Sequence, residues 1–382
     1  MKKLVVIAIF LIAAFAVISA SANDGVFYAQ GNNLIPLQET KVELRKEILK
    51  FFVRDFGFMD VDVDFEFYNP GEDRTLTVGF VSPPSFGDVD EGGEEDGGAH
   101  PRITDFTVVV NGVTLEYKVT RMENTSFNAE ALDVSGFDYV YYFSVTFRKG
   151  INRIRHTYRF QGGASVETQR DFAYQITTGK RWSNKQIDDF ELQLHMDEGI
   201  FNLPARFVKG NGLANWQMVG NGVIKSKAEK FYDFDENSIR MAHLNKGYFL
   251  FKAKNFKPDF DITITEFNWG TGWIGKMCRQ GTKCLPEDAA ERYGLFMSRA
   301  PGEYIEVSAL KELTAKELKM LRNFSFALRG YDFKSPDLRS YYSKFFWYKP
   351  DPSLKAEDIE LSDAEKAFID KVRAAEESKQ AA

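Results

Sequence analysis

Residues 60 to 71, DVDVDFEFYNPG, set Val61, Val63, Phe65 and Phe67 against Asp60, Asp62, Asp64 and Glu66. Side chains two apart share a face only in an extended chain, so this alternation predicts a strand with one face buried and the other in water. Asn69-Pro70-Gly71 then turns the chain. The same period recurs in FDYVYYFSVTF, which keeps Phe137, Tyr139, Tyr141, Phe143, Val145 and Phe147 in one register. After Lys149-Gly150, INRIRHTYRF sets Ile154, His156, Tyr158 and Phe160 against Arg153, Arg155, Thr157 and Arg159. The two segments are expected to form a hairpin. FTVVVNGVTLEYKV predicts another, because a tight turn needs positive φ at both central positions and Asn111-Gly112 tolerate it.

Residues 172 to 269 continue in this style, with strand candidates DDFELQLHM, KGYFLFKAKNF and DFDITITEF separated by turn signals such as KGNGLANW and VGNGV. Many short strands at close intervals point to a mainly β protein of sandwich or barrel type and not to alternating β-α units. From about residue 309 the period becomes helical. Thr314 with Glu317 and Ser362 with Glu365 form capping boxes, Gly330 suits a helix end, and Ser335-Pro336 starts a helix. Phe368, Ile369 and Val372 fall on one face of the last helix. The expected division is residues 23–172 as one β-rich sandwich-like domain, 173–300 as a second β-rich domain, and 305–382 as a small helical module.

The first 22 residues, MKKLVVIAIFLIAAFAVISASA, have a basic start, an apolar run and a small-x-small ending, the pattern of a cleaved signal peptide. The apolar run is shorter than a membrane-spanning helix needs, and no later stretch could cross a bilayer. The expected product is exported, periplasmic or extracellular, with no membrane span in the mature chain. Loss of Lys2 and Lys3 takes the net charge from −6 to −8, which argues against nucleic acid as a partner. In an oxidising compartment Cys278 and Cys284 are expected to close a local disulfide loop.

The segment LRNFSFALRGYDFKSPDLRSYYSKFFWYKPDPSL, together with the helix near Ser362, resembles the YARHG domain, a small module of exported bacterial proteins. Its most specific pieces are Arg322-Asn323, Ala327, Gly330, Phe333, Ser335 and Trp347-Tyr348-Lys349-Pro350. Phe326, Leu328 and Arg329 stand where the motif has tyrosine, arginine and histidine. Roles resting on that hydroxyl or imidazole therefore do not carry over. ANDGVFYAQGNNLIPLQETKVELRKEIL and the Y-x-I-T-T-G-K-R-W stretch at residues 174–182 resemble an exported bacterial β-rich family of undetermined function. These resemblances imply architecture and compartment. YARHG-like modules can accompany peptidase domains.

Motifs that would carry chemistry are incomplete. GTGWIGKM, residues 270–277, has the glycine spacing of a P-loop, but Met277 replaces the magnesium-binding hydroxyl. DFDEN, residues 233–237, begins like a calcium loop, yet Ser238 stands at the glycine position and Leu244 where the bidentate glutamate belongs. An acidic, glycine-rich stretch around Asp88 and Asp90 reads as a solvated loop. His100, His156, His195 and His243 are widely spaced and lack a zinc pattern. His156, on the apolar register of its strand, reads as a core residue. The sequence indicates no catalytic group, metal or cofactor.

The opposed charge stripes of residues 60–66 and 153–159 are read first as solvated faces. Cross-strand pairing follows if the two strands are neighbours, and an anion-binding arginine face is a third reading. Residues 321–350 hold Arg322, Arg329, Lys334, Arg339, Lys344 and Lys349 against Asp332 and Asp337. Phe324, Phe326 and Phe333 are expected to build the module's small core. Arg329, Gly330, Tyr331, Trp347, Tyr348 and Lys349 are the candidate contacts for an unknown envelope component, protein or glycan. The favoured function is non-catalytic recognition or scaffolding in the cell envelope. The alternative is an envelope hydrolase with a site assembled from distant residues.

Overall fold

A computed structural model describes residues 23–30, 33–37, 41–54, 57–82, 103–121, 139–163, 168–229, 239–267, 310–311 and 313–380. Sixteen strands occur among them: β1 (Asn23–Gln30), β2 (Asn33–Leu37), β3 (Glu43–Val53), β4 (Phe58–Asn69), β5 (Arg74–Ser82), β6 (Ile103–Val110), β7 (Val113–Thr114) and β8 (Lys118–Arg121). Then come β9 (Tyr139–Phe147), β10 (Gly150–Gln161), β11 (Thr168–Tyr174), β12 (Ile187–His195), β13 (Gly199–Pro204), β14 (Gln217–Ile224), β15 (Ile239–Phe256) and β16 (Ile262–Phe267). The protein is mainly β, as its alternation predicts.

Five strands form one sheet in the order β2-β1-β5-β9-β8. The other eleven form a second, ordered β11-β16-β13-β15-β12-β3-β4-β10-β6-β7, with β14 also paired to β15. The small sheet packs on the β4-β10-β6 part of the large one, where the rings of Phe67 and Phe147 meet at 5.5 Å and those of Phe106 and Tyr141 at 5.0 Å. Alternation along β4 buries Val61, Val63, Phe65 and Phe67 and leaves Asp60, Asp62, Asp64 and Glu66 on the outer face. Parallel pairing of β12 with β3 makes the large sheet continuous across residue 172. One apolar cluster runs through it, joining Phe67 and Phe147 to Trp182 and Phe251.

Asn111 and Gly112, with φ of 49° and 84°, make the tight turn between β6 and β7. The hairpin expected from residues 137–160 does not form. β9 lies in the small sheet against β5 and β8, whereas β10 lies in the large sheet between β4 and β6. A hairpin would put both apolar faces side by side; in opposite sheets they close on each other, with the Phe143 and His156 rings 5.4 Å apart. The buried Asn152 side chain fixes the crossing by accepting from Arg148 N at 2.9 Å and donating to Arg148 O at 2.8 Å. VGNGV, expected as a turn, lies inside β14, whose register shifts between Asn221 and Gly222.

β10 is the neighbour of β4, with Arg153 opposite Glu66, Arg155 opposite Asp64 and Arg159 opposite Asp60. The stripes are therefore paired and not merely solvated. Arg155 grips Asp62 through Nε at 2.9 Å and Nη2 at 2.7 Å, and Arg159 Nε reaches Asp60 at 2.8 Å. Burial alone would raise the Asp60 pKa, but hydrogen bonds from Arg159 and Arg54 outweigh it and hold the carboxyl below its ordinary range.

The helical end comprises α1 (Ala315–Arg322), α2 (Phe324–Leu328), α3 (Pro336–Tyr342) and α4 (Asp363–Gln380). Thr314 and Glu317 cap α1 reciprocally, as do Ser362 and Glu365 at α4. Leu318 and Leu321 of α1 pack with Phe368 and Val372 of α4 in a small core of their own.

Candidate functional site

The module does not stand apart from the sheet. Ile200 of β13 and Met241 of β15, both fully buried, share a cluster with Phe324, Phe333, Tyr342, Phe345, Trp347 and Tyr348. Phe324 and Phe333 are core residues as expected, while Phe326 is partly buried at the cluster's edge. The motif corner at Arg329-Gly330 sits at this joint. Its geometry follows from local sequence: α2 ends at Leu328, and Gly330, at φ 82°, turns the chain under the carbonyl of Lys349. A Cβ at that position would lie 2.7 Å from Lys349 O.

The Arg329 guanidinium is 18% exposed and lies between two carboxylates. Nη1 and Nη2 donate to Glu365 at 2.8 and 3.1 Å, Nε lies 3.3 Å from Glu198 Oε2 between β12 and β13, and Nη1 also reaches Ser325 O at 3.1 Å. The Arg329 carbonyl accepts from Asn245 Nδ2 of β15 at 2.6 Å. Burial alone would raise the Glu365 pKa; the bonds from Arg329 and from the Ser362 backbone outweigh it and leave the carboxyl below its ordinary range.

Trp347 and Tyr348, each 1% exposed, face inward. The Trp347 ring lies 6.2 Å from His243 of β15 and 5.6 Å from Phe324, and Tyr348 OH donates to Tyr331 O at 2.9 Å. His243 is fully enclosed; burial pushes its pKa down to about 3, a hydrogen bond with the Trp347 backbone opposing the shift, so the imidazole is neutral. Tyr331 is half-buried and bridges to Asp351, while Lys349 is exposed. The six candidates thus separate: Arg329, Gly330, Trp347 and Tyr348 build the joint, Tyr331 borders it, and Lys349 reaches water.

A second feature lies on the sheet, where β14 and β15 part. The last pair of that ladder is Gln217 with Leu250, and β15 then continues six residues further to Phe256. Beside this extension opens a groove of about 470 Å³, lined by Phe207, Leu213, Phe251, Phe256, Lys254 and Lys257 among others. Positive φ at Asn255 turns Phe256 to the same buried side as Phe251, where both rings meet Phe207. The opposite wall, residues 207–215, is fastened by Trp216 Nε1 to Pro204 O at 2.9 Å, Ala214 N to Ala205 O at 2.8 Å and Lys209 N to Asp259 Oδ2 at 3.0 Å. Sequence reading missed this groove because it arises from two strands diverging. Its only local trace is the run of glycine and asparagine in KGNGLANW.

Among the described residues no group of three metal-ligating side chains occurs. His156 is 1% exposed among the rings of Phe65, Phe106 and Phe143. His195 is stacked between Phe52 and Tyr248 at 4.6 and 4.5 Å, and burial, aided by Lys50, lowers its pKa. The Cys278–Cys284 loop, residues 233–237 and 270–277, Asp88, Asp90 and His100 lie outside the described residues. None of the described helices is long and apolar enough to cross a membrane.

No functionally curated protein matches this chain. Among solved structures, a Legionella pneumophila protein provisionally described as nutrient binding is 18% identical, aligned over 94% of this chain and 99% of its own at a TM-score of 0.48. An M1 zinc metallopeptidase from Deinococcus radiodurans is 10% identical over 91% of this chain and 94% of its own, at a TM-score of 0.25. Both are too distant to transfer an activity. At the C-terminal end, residues 293–377 match the YARHG domain family, a span that contains most of the helical module docked on β13 and β15.

Proposed function

We propose that this chain is an exported recognition or scaffolding protein of the bacterial cell envelope, and that its YARHG domain presents the partner-facing edge. The observation that carries this reading is how the module's charges are spent. Asp332 and Asp337 are occupied by Arg339 at 2.9 Å and Lys319 at 2.8 Å, while Arg322 and Arg329 are held by Glu376 and Glu365. Lys334 and Lys349 are exposed and make no ion pair among the described residues. Among the nearby acids Asp332 and Asp337 are ion-paired, and Asp351 accepts from Ser353 Oγ and N, with Lys349 helping to hold its carboxyl below the ordinary range; two exposed ammonium groups in this setting suit a partner bearing anionic groups. Arg329, Gly330, Trp347 and Tyr348 serve this edge indirectly, by fixing the module on the sheet.

Removing the whole module would strip cover from Ile200 and Met241, so the test keeps it in place. The double substitution Lys334→Glu, Lys349→Glu should reduce retention of the purified mature protein on isolated envelope material about tenfold or more. Retention of the parent should also fall between 50 mM and 500 mM salt, because exposed charges are screened within a Debye length. Equal retention of parent and variant would sink the reading.

A further inference from the structure

The groove on the large sheet is separate from the YARHG edge and supports an inference of a different kind. Each residue of a strand directs its backbone N–H and C=O to one edge or the other in alternation, so a strand paired on one side only keeps half of these groups unused. β12 covers one edge of β15 from Phe249 to Phe256. On the other edge β14 stops at Leu250, and among the described residues no strand pairs with residues 251–256. Natural edges of this kind are commonly guarded by lysines aimed into the strand plane. Here Lys252 and Lys254 are engaged across the ladder, by Glu191 at 2.8 Å and Asp189 at 2.7 Å. The edge is flanked instead by the groove, whose far wall is pinned away from β15 by the hydrogen bonds of Trp216, Ala214 and Lys209.

We propose that this edge takes up an extended acidic peptide as an added strand lying in the groove beside residues 251–256. Three observations converge on that occupant. The open edge offers main-chain hydrogen bonds that a peptide backbone matches and a compact small molecule does not. Alternation along an added strand would direct every second side chain toward the apolar floor of Phe207, Phe251 and Phe256, and the groove volume falls within the range of natural ligand sites. The lining contains no carboxylate, and of its two lysines Lys254 is held by Asp189 while Lys257 makes no ion pair among the described residues, so Lys257 sets a charge preference for Asp or Glu at the outward positions.

The test uses the mature protein and an acetylated hexapeptide alternating valine and glutamate, with two counterparts: one with lysine for glutamate and one N-methylated throughout. Titration calorimetry should give saturable binding for the acidic peptide and at least tenfold weaker binding for both counterparts. Hydrogen exchange at residues 251–256 should slow on binding. Leu213→Trp, which fills the groove, and Lys257→Glu, which reverses its charge, should each weaken binding at least tenfold while leaving the far-ultraviolet circular dichroism unchanged. No saturable binding up to millimolar peptide overturns the proposal. Equal binding of the N-methylated peptide also overturns it, and would leave the groove as a site for side chains or small anions. Retention on envelope material is read separately, so failure of this proposal and failure of the YARHG edge are distinguishable.

Discussion

Arg329 and Glu365 meet through two hydrogen bonds, Nη1 to Oε1 at 2.8 Å and Nη2 to Oε2 at 3.1 Å, joining the end of α2 to the start of α4. Glu365 also closes the α4 capping box through Ser362 N at 2.8 Å. Its two oxygens therefore link a helix terminus to the motif corner, and the same arginine extends the link to Glu198 on the sheet. The fork geometry is specific to guanidinium, and an ammonium of equal charge does not reproduce it.

Arg329→Lys is expected to destabilise the protein by about 1–3 kcal/mol, since both carboxylates lose part of their bonding in a largely buried setting. Urea unfolding followed by tryptophan fluorescence measures this, because Trp347 lies in the affected cluster. Glu365→Gln should be milder, keeping the cap acceptor while losing the charge.

The same carboxyl gives a pH dependence of known sign. Its folded pKa is lowered, so its contribution is complete above the unfolded value of about 4.3 and is lost as pH falls through the lower folded value. Parent and Glu365→Gln stability curves should therefore converge below pH 4. Parallel curves down to pH 3 would contradict the assignment.

Asp62 faces Arg155 through two hydrogen bonds and stands opposite Lys50 of β3. Asp62→Lys is expected to lower stability by about 1 kcal/mol in low salt and by less in 0.5 M NaCl, the scale of an exposed cross-strand pair. Strand register should persist, because the buried face of β4 sets it. An unchanged midpoint in low salt would show that the ladder of charges adds nothing.

How far these features were legible depends on the distance over which each is decided. The β4 alternation, the Asn111-Gly112 turn and the two capping boxes involve residues within a few positions, and local geometry dictates them. Whether β9 pairs with β10 or closes over it depends on β5 and β4, which lie far away, and both outcomes satisfy the same alternation. The charge stripes carried their own partners, but only the β4–β10 pairing could decide between solvation by water and pairing with each other. Trp347 and Tyr348 looked like contact residues because an aromatic beside lysine suits a surface; Met241 and Ile200 show that the surface concerned is the protein's own sheet. The groove beside β15 left almost no trace, since strand divergence has no period.

Gly330→Ala tests the corner from the backbone side. A methyl group would meet Lys349 O at 2.7 Å, and φ of 82° is unfavourable for any L side chain. A loss above about 1 kcal/mol is expected, larger than for an ordinary helix-end glycine. Reduced hydrogen-exchange protection at Asp351 N, which donates to Gly330 O at 2.8 Å, would localise it.

His243 offers the last prediction. Its imidazole is enclosed between β15 and Trp347, with Nε2 making no hydrogen bond among the described residues, and its pKa is about 3. In the unfolded chain the ring titrates near 6.5, so between these values the unfolded state binds the extra proton. A depressed folded pKa means that the neutral ring's contribution is fully present above about pH 6.5 and declines as acid is added. Between pH 7 and pH 5 the decline amounts to about 2 kcal/mol. His243→Leu, similar in bulk and unable to titrate, should remove that part of the pH dependence even where it loses some stability at pH 7. The measurement is the difference in unfolding free energy between the two pH values, parent against variant, above the range in which carboxylates titrate. An identical difference in both proteins would mean that the ring finds its proton in the folded state and that the joint between sheet and YARHG domain is open to water.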